Sequence, residues 1–378
     1  MKTRSVVLIG TYPPTRCGIA TFTENLRQAM VTSTDKLDVG IVRVVKASGN
    51  GTLPEVAATW ETGNQPSLHH AVNVSNASDC VVLQHEFGIY GGPDGVEVLD
   101  LASQLSCPLI SVLHTVPMLP SPLQREILEE LVRMSSVVVV QSEVARQRLL
   151  GLLPRFNATP VVSIPHGAAA NFDGPRVFEL PSPSVLTWGL LGPGKGVERG
   201  IDAIARLRSA PPPPTYVVSG TTHPKVWERS GDSYLESLRQ RSRRLGVEPL
   251  ICFDSCYHDW ASLRALVRAT DVVLIPYESM DQVTSGVLVE ALASGKPVVA
   301  TRFPHAVELL SDGAGIVVDH ADPVAIAEAL FRVLYVPGVA EEMSLAARRV
   351  AQRFFWPTVG ASYVHLVEHL ASLKLSAA

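Results

Sequence analysis

Short apolar, β-branched runs alternate along the chain with longer stretches whose apolar residues recur every three to four positions. That alternation predicts parallel strands buried on both faces and joined by amphipathic crossover helices. In the first half the strand-like runs are residues 5–10, 39–45, 80–84, 109–113, 136–141 and 161–164, with helical spacing over 22–30, 95–105 and 124–134. In the second half the runs are 184–188, 215–219, 250–253, 272–275, 297–300 and 315–318, with helices near 196–208, 233–245, 260–269, 286–293 and 323–334. The expected class is therefore α/β, with a Rossmann-like doubly wound sheet occurring twice. Residues 167–183 carry two glycine/proline clusters and no sustained period, which places a linker there and divides the chain into domains 1–178 and 179–355. Residues 356–373 read as a helix that can pack on either domain; packing of 356–378 back on the first is one option.

Length agrees, since 378 residues suit two domains of roughly 150–200 residues better than one. With 46% apolar and 18% charged residues the chain has ample core. A formal charge of −4 supplies no general field for nucleic acid or an anionic membrane, so any anion site has to be local. No apolar run approaches the ~18 residues of a membrane span, and Met1-Lys2-Thr3-Arg4 leads directly into a strand-like run, so a cytoplasmic protein is expected. Cys17, Cys80, Cys107, Cys252 and Cys256 have no C-x-x-C spacing and read as reduced thiols. Cys252, Cys256 and His258 make an incomplete zinc pattern, against which stands the plainer reading of buried strand-end thiols.

In open parallel sheets ligands sit beyond the carboxyl ends of the strands, and the glycines lie in loops of that kind: 13–18, 87–92, 189–196 and 282–286. Loop 189–196 follows a strand and opens a helix, so its free amides, the helix dipole and Lys195 can face an anion. Gly196 stands where a Walker loop needs Ser or Thr, so it is not that motif. The bland alternative is a structural turn with a solvent-facing lysine. Residues 284–297 combine a Thr284-Ser285-Gly286 cap, a helix containing Glu290, a Gly295 stop and a following strand. Glu290, one turn inside, can accept hydrogen bonds from a diol whose phosphate is bound at the cap; a surface glutamate in an early turn is the alternative.

These motifs in this order resemble the GT-B glycosyltransferases, specifically retaining glycosyltransferase family four. The resemblance rests on the Pro13-Pro14 to Gly18-Ile19-Ala20 loop, His85-Glu86-Phe87-Gly88, Leu113-His114-Thr115, Ile164-Pro165-His166-Gly167, the Lys195 loop, Asp271 to Tyr277, and Glu290 to Ala300. It implies two domains facing a central cleft. The donor, a nucleotide sugar, would be bound by Gly18, Gly189, Lys195, Thr284, Ser285, Gly286, Val287 and Glu290. His114, Lys195 and Gln282 would be catalytic, and His85, Glu86, Gly88 and Tyr90 would serve the acceptor. For His114 a capping or core role, and for His166 a hinge role, stand beside contact roles. Two positions depart from the pattern. Gln282 stands where the family has the first of two glutamates eight positions apart, with Asp281 or Glu278 as substitutes. Leu190 stands where an arginine is usual, with Arg302, Arg16 or Arg199 as replacement cations.

The implied reaction is transfer of a hexose with retained configuration, by same-face attack rather than through a carboxylate nucleophile. It needs neither metal nor other cofactor. Mannose from GDP-mannose is the first expectation for the donor and a UDP-sugar the second. The acceptor is a sugar, a lipid-linked or a small molecule, and a lipid-linked one would bring peripheral membrane contact; no nucleic-acid partner is expected. The rivals are a GT-B-like phosphorylase, an epimerase and a non-catalytic nucleotide-sugar-binding scaffold.

Overall fold

The computed structural model describes residues 3–47, 53–156, 158–175, 177–256 and 258–377, with the backbone alone for residues 156, 225 and 373–377. The chain divides into two units: Met1–Gly167 with Trp356–Ala378, and Ala168–Phe355.

Unit 1 holds seven strands, β1 (Arg4–Gly10), β2 (Leu37–Val45), β3 (Val56–Glu61), β4 (Cys80–His85), β5 (Leu109–Leu113), β6 (Val137–Val140) and β7 (Val161–Ser163), in the order β3-β2-β1-β4-β5-β6-β7. All pair in parallel. The strand order reverses between β1 and β4, the point at which such sheets open a crevice for ligands. The helix Gly18–Ser33 crosses from β1 to β2 and packs on the helix Trp356–Ala377. Their approach is close: a Cβ on Gly360 would stand 2.7 Å from Ala29. Val359, Tyr363, Val364, Val367 and Leu370 of the late helix are buried.

Unit 2 holds β8 (Ser184–Trp188), β9 (Thr215–Ser219), β10 (Ile251–Asp254), β11 (Val272–Ile275), β12 (Val298–Thr301) and β13 (Gly315–Val318), in the order β10-β9-β8-β11-β12-β13. Here the reversal lies between β8 and β11. The helix Val197–Leu207 lays Val197, Ile201, Ile204 and Leu207 on the sheet. The helix Gly286–Ala293 is buried over Leu288–Ala293 because a further helix, Val339–Ala351, covers its other side; this is the reason it is apolar apart from Glu290.

Several elements carry weak periodicity and escape a sequence reading: the strand Val56–Glu61 and the helices Gln65–Asn76, Glu143–Leu152, Pro304–Leu310 and Val339–Ala351. The helix expected over 95–105 is a 3-10 turn Pro93–Gly95 and a short helix Val98–Ala102. The units divide at Gly167/Ala168, upstream of the expected 178/179. The reason is hydrogen bonding without periodicity. Ala168 N–H donates to the Phe354 carbonyl (2.7 Å), and Asn171 N–H to that of Ala293 (2.9 Å). The Asn171 side-chain amide donates to Ser294 Oγ (2.8 Å), fixing the segment to unit 2. Cys252 and Cys256 are exposed, not buried as expected for strand-end thiols. Among the described residues, no single helix is long and apolar enough to cross a membrane.

Candidate active site

In unit 2 the loops after β8 and β11, flanking the strand-order reversal, carry the sequence motifs. Gly189, Gly194 and Gly196 take φ of 121°, 89° and 68°. A Cβ at Gly196 would fall 1.7 Å from the Pro276 carbonyl oxygen, so the two loops touch there through backbone alone. Glu278 N–H donates to the Gly194 carbonyl (2.9 Å) and Leu191 N–H to that of Thr221 (2.8 Å). The loop is thus held from both sides. Lys195 Nζ lies 4.2 Å from the centroid of the Tyr277 ring, a cation–π seat. Tyr277 is itself buried against Phe303, with centroids 5.3 Å apart. Lys195 is therefore a positioned cation rather than a free surface one.

The helix Gly286–Ala293 starts from a buried Ser285, whose hydroxyl accepts from Leu288 N–H (3.2 Å). Ser285 N–H donates to His305 Nδ1 (2.8 Å), which fixes that nitrogen as an acceptor. His305 N–H in turn donates to the Gln282 carbonyl (3.2 Å). Gln282 turns its side-chain amide onto the Thr284 carbonyl, and Thr284 Oγ1 is buried with no partner. Val287 lies beside Gly189: a Cβ on that glycine would be 3.9 Å from Val287 Cγ2. Glu290 is buried, and burial pushes its carboxyl up to about 7, with Arg264 pulling in the opposite direction. Of the candidate replacements, Arg302 pairs with Asp319 (2.9 Å) and Arg199 with Glu278 (3.2 Å). Sequence reading gave Tyr277 only as the end of the Asp271 to Tyr277 stretch, without a role, and missed His305 as part of the site. An aromatic side chain two positions beyond the end of β11 was a signal for the first; the second lies across two loops and left none.

In unit 1 the helix Gly18–Ser33 is capped by Cys17, whose Sγ accepts from Ala20 N–H (3.4 Å). The space beside Gly18 is open. The expected acceptor residues divide. Gly88 is exposed, and Glu86 is half-buried, accepting from the Thr115 hydroxyl (2.6 Å). His85 and Tyr90 belong to the core, which corrects the expectation that they face an acceptor. His85 is fully buried, neither ring nitrogen has a partner, and burial lowers its pKa to about 3. Tyr90 donates its hydroxyl to the Gln84 carbonyl (2.6 Å).

His114, expected to be catalytic, is half-buried at the end of β5. Its Nε2 bonds Gln84 Oε1 (2.8 Å) and its Nδ1 bonds Gln141 Nε2 (3.2 Å). A carboxamide oxygen only accepts and an amide nitrogen only donates, so the proton sits on Nε2. Burial, with His166 and His85 nearby, lowers its pKa to about 3. Both ring nitrogens bond protein side chains here. His166 bonds the Gly167 carbonyl (2.8 Å) next to the unit boundary and meets Phe22 edge-on at 5.1 Å.

Comparison with known proteins bears on this arrangement. Residues 182–335 match the family model for glycosyl transferases group 1 and form a domain of that family. A stretch of 195 residues is 31% identical to the GDP-mannose-dependent alpha-(1-6)-phosphatidylinositol monomannoside mannosyltransferase of Mycolicibacterium smegmatis, covering 49% of this chain and 47% of that one. The chain thus spans about half the length of this curated relative. Among solved structures, sucrose-phosphate synthase from Thermosynechococcus elongatus is similar over 98% of this chain and 100% of its own, with TM-score 0.77 and 17% identity. Anabaena HepE in complex with UDP is similar over 98% of this chain and 100% of its own, with TM-score 0.73 and 19% identity. The fold is GT-B, with a parallel sheet of seven strands in one unit and six in the other.

Proposed function

We propose that this chain, with its GT-B fold and glycosyl transferases group 1 domain, is a retaining, metal-independent hexosyltransferase. In this reading it moves mannose from GDP-mannose to an acceptor hydroxyl. The observation that carries it is the pairing, at the strand-order reversal of unit 2, of a seated Lys195 with the helix N-terminus at Ser285-Gly286. Departure of a nucleoside diphosphate puts negative charge on its β-phosphate. A fixed ammonium and helix-end amides stabilise such charge without reorganising. Gly189, Thr284 and Val287 line the donor beside them. Glu290, once ionised, accepts from a ribose diol, and Gln282 meets the transferred sugar.

Same-face attack suits this chemistry. The bond from C1 to the leaving phosphate breaks as the acceptor oxygen bonds C1 on the same side, and the acceptor's proton passes to the departing phosphate oxygen. Glu278, a candidate acid, is tied to Arg199 and is not the nucleophile in this scheme. On the acceptor side Glu86 and Gly88 keep contact roles, and His114 orients Gln84 and Gln141. The mannosyltransferase relative favours GDP-mannose; the fold shared with HepE, solved with UDP, keeps a UDP-sugar as second choice.

Release of GDP from radiolabelled GDP-mannose, with label appearing in an acceptor, tests the reading. Lys195→Ala is expected to slow transfer about 100-fold, the scale of one lost charge-stabilising group. Calorimetry showing no GDP- or UDP-sugar bound to the purified protein would sink it, as would unaltered rates in both Lys195→Ala and Glu290→Ala.

A further inference from the structure

Unit 1 contains a cavity of about 520 Å³ beyond the carboxyl ends of β1 and β2, within the size range of small-molecule sites. Thr11, Thr15, Cys17, Arg43, Lys46 and Gly88 contribute to its wall. Arg43 is the unusual member. It is only 5% exposed, yet its Nε has no partner, and its Nη2 reaches only the Thr59 hydroxyl, at 3.5 Å. Among the described residues no carboxylate lies within ion-pair distance of it. A guanidinium removed from water without a counter-charge is an expensive arrangement, and buried charges are ordinarily paired. Its strand neighbour in β1 is Gly10.

Two further features add positive potential to the same wall. Lys46 follows on the exposed side, three positions along the chain. The helix Gly18–Ser33 begins at the cavity's Cys17 and has no acidic residue in its first turn to offset its dipole. Two cations and a helix N-terminus sum to more than one positive charge, which matches a phosphate dianion better than a carboxylate. A planar guanidinium suits phosphate oxygens for the same reason.

We infer that this cavity binds a phosphate monoester group carried by the acceptor, with Arg43 as its buried anchor and Lys46 as the outer cation. The inference rests on the transferase reading for the word acceptor. The donor's own phosphates have Lys195 in unit 2, so the Arg43 cavity is assigned to the other substrate.

Calorimetry on the full chain with inorganic phosphate, glycerol 3-phosphate, glycerol and GDP tests it. The two phosphates are expected to bind and glycerol not to. Arg43→Met, which keeps the apolar stem, should weaken both phosphates about 10-fold or more, the scale of lost charge-assisted hydrogen bonds. Lys46→Gln should weaken them about threefold, as fits an exposed cation. GDP affinity should be unchanged in both. The inference is overturned if no phosphate monoester saturates the protein, if Arg43→Met binds phosphate like the parent, or if GDP weakens in step, since the cavity would then serve the donor. If Arg43→Met loses its cooperative melt, the exposed Lys46→Gln decides alone, and unchanged phosphate binding there overturns the proposal. Failure of the parent to bind GDP would count against the transferase reading and leave the phosphate result standing.

Discussion

At the strand-order reversal of unit 1 the polar side chains bond one another. His114 lies between Gln84 and Gln141, the ring nitrogens of His85 have no hydrogen-bond partner, and both imidazoles are neutral near pH 7. At the reversal of unit 2 the loop offers backbone amides and a seated Lys195, while Glu290 behind them is held close to neutrality. One topology therefore carries two kinds of edge. Burial explains the contrast, because desolvation drives an imidazole out of the physiological range and lifts a carboxyl into it. Of these two edges, that of unit 2 should accordingly be the source of any pH response between 5 and 9.

The strongest way to break this comparison is to disturb the backbone that presents the charged edge. Gly196→Ala, with its Cβ forced onto the Pro276 carbonyl, is expected to cost about 3 kcal/mol or more, read from denaturant midpoints.

Glu290 is the next lever. Its free-chain carboxyl titrates near 4.5 and its folded one near 7, so between those values the folded state binds more protons. Stability therefore falls as pH rises through that window. Glu290→Gln should remove the fall, gaining about 3 kcal/mol at pH 8 and nothing below pH 4. In the parent, GDP-mannose, whose esterified diphosphate does not titrate near neutrality, should bind more tightly as pH rises through 7; in the variant the profile should be flat. A parent profile without an inflection near 7 would erase the contrast between the two edges.

His114→Ala should cost about 2 kcal/mol by orphaning the two buried amides, yet leave the shape of the rate profile above pH 5 unchanged. An altered profile would return a proton-transfer role to His114. Smallest of all, Arg302→Ala removes a pair whose side chains are 57% and 75% exposed, and thermal melts should register less than about 0.5 kcal/mol.

The sheets were legible because their strands are buried on both faces and read as unbroken apolar runs, as at Val137–Val140 and Val272–Ile275. Val56–Glu61 was not, because an edge strand alternates weakly and includes exposed Ala57. Within the site, the Lys195 loop and the Ser285-Gly286 cap stood out because glycines and caps are local signals. The Ser285–His305 hydrogen bond and the Tyr277 seat join residues distant in sequence, and no local pattern encodes them. His85 and Tyr90 misled for the same reason: a strand end shows that a side chain is near the loops but not which way it turns.

The return of Trp356–Ala377 to unit 1 bears on how the protein is made. Unit 2 is one continuous run and can close while the ribosome is still at work. Unit 1 is split, and Val359, Tyr363 and Val367 join its core only after every residue of unit 2 has been synthesised. The half of the molecule that is begun first is thus completed last. Until then the face of Gly18–Ser33 awaiting that helix stays uncovered, an apolar surface open to aggregation or to a chaperone.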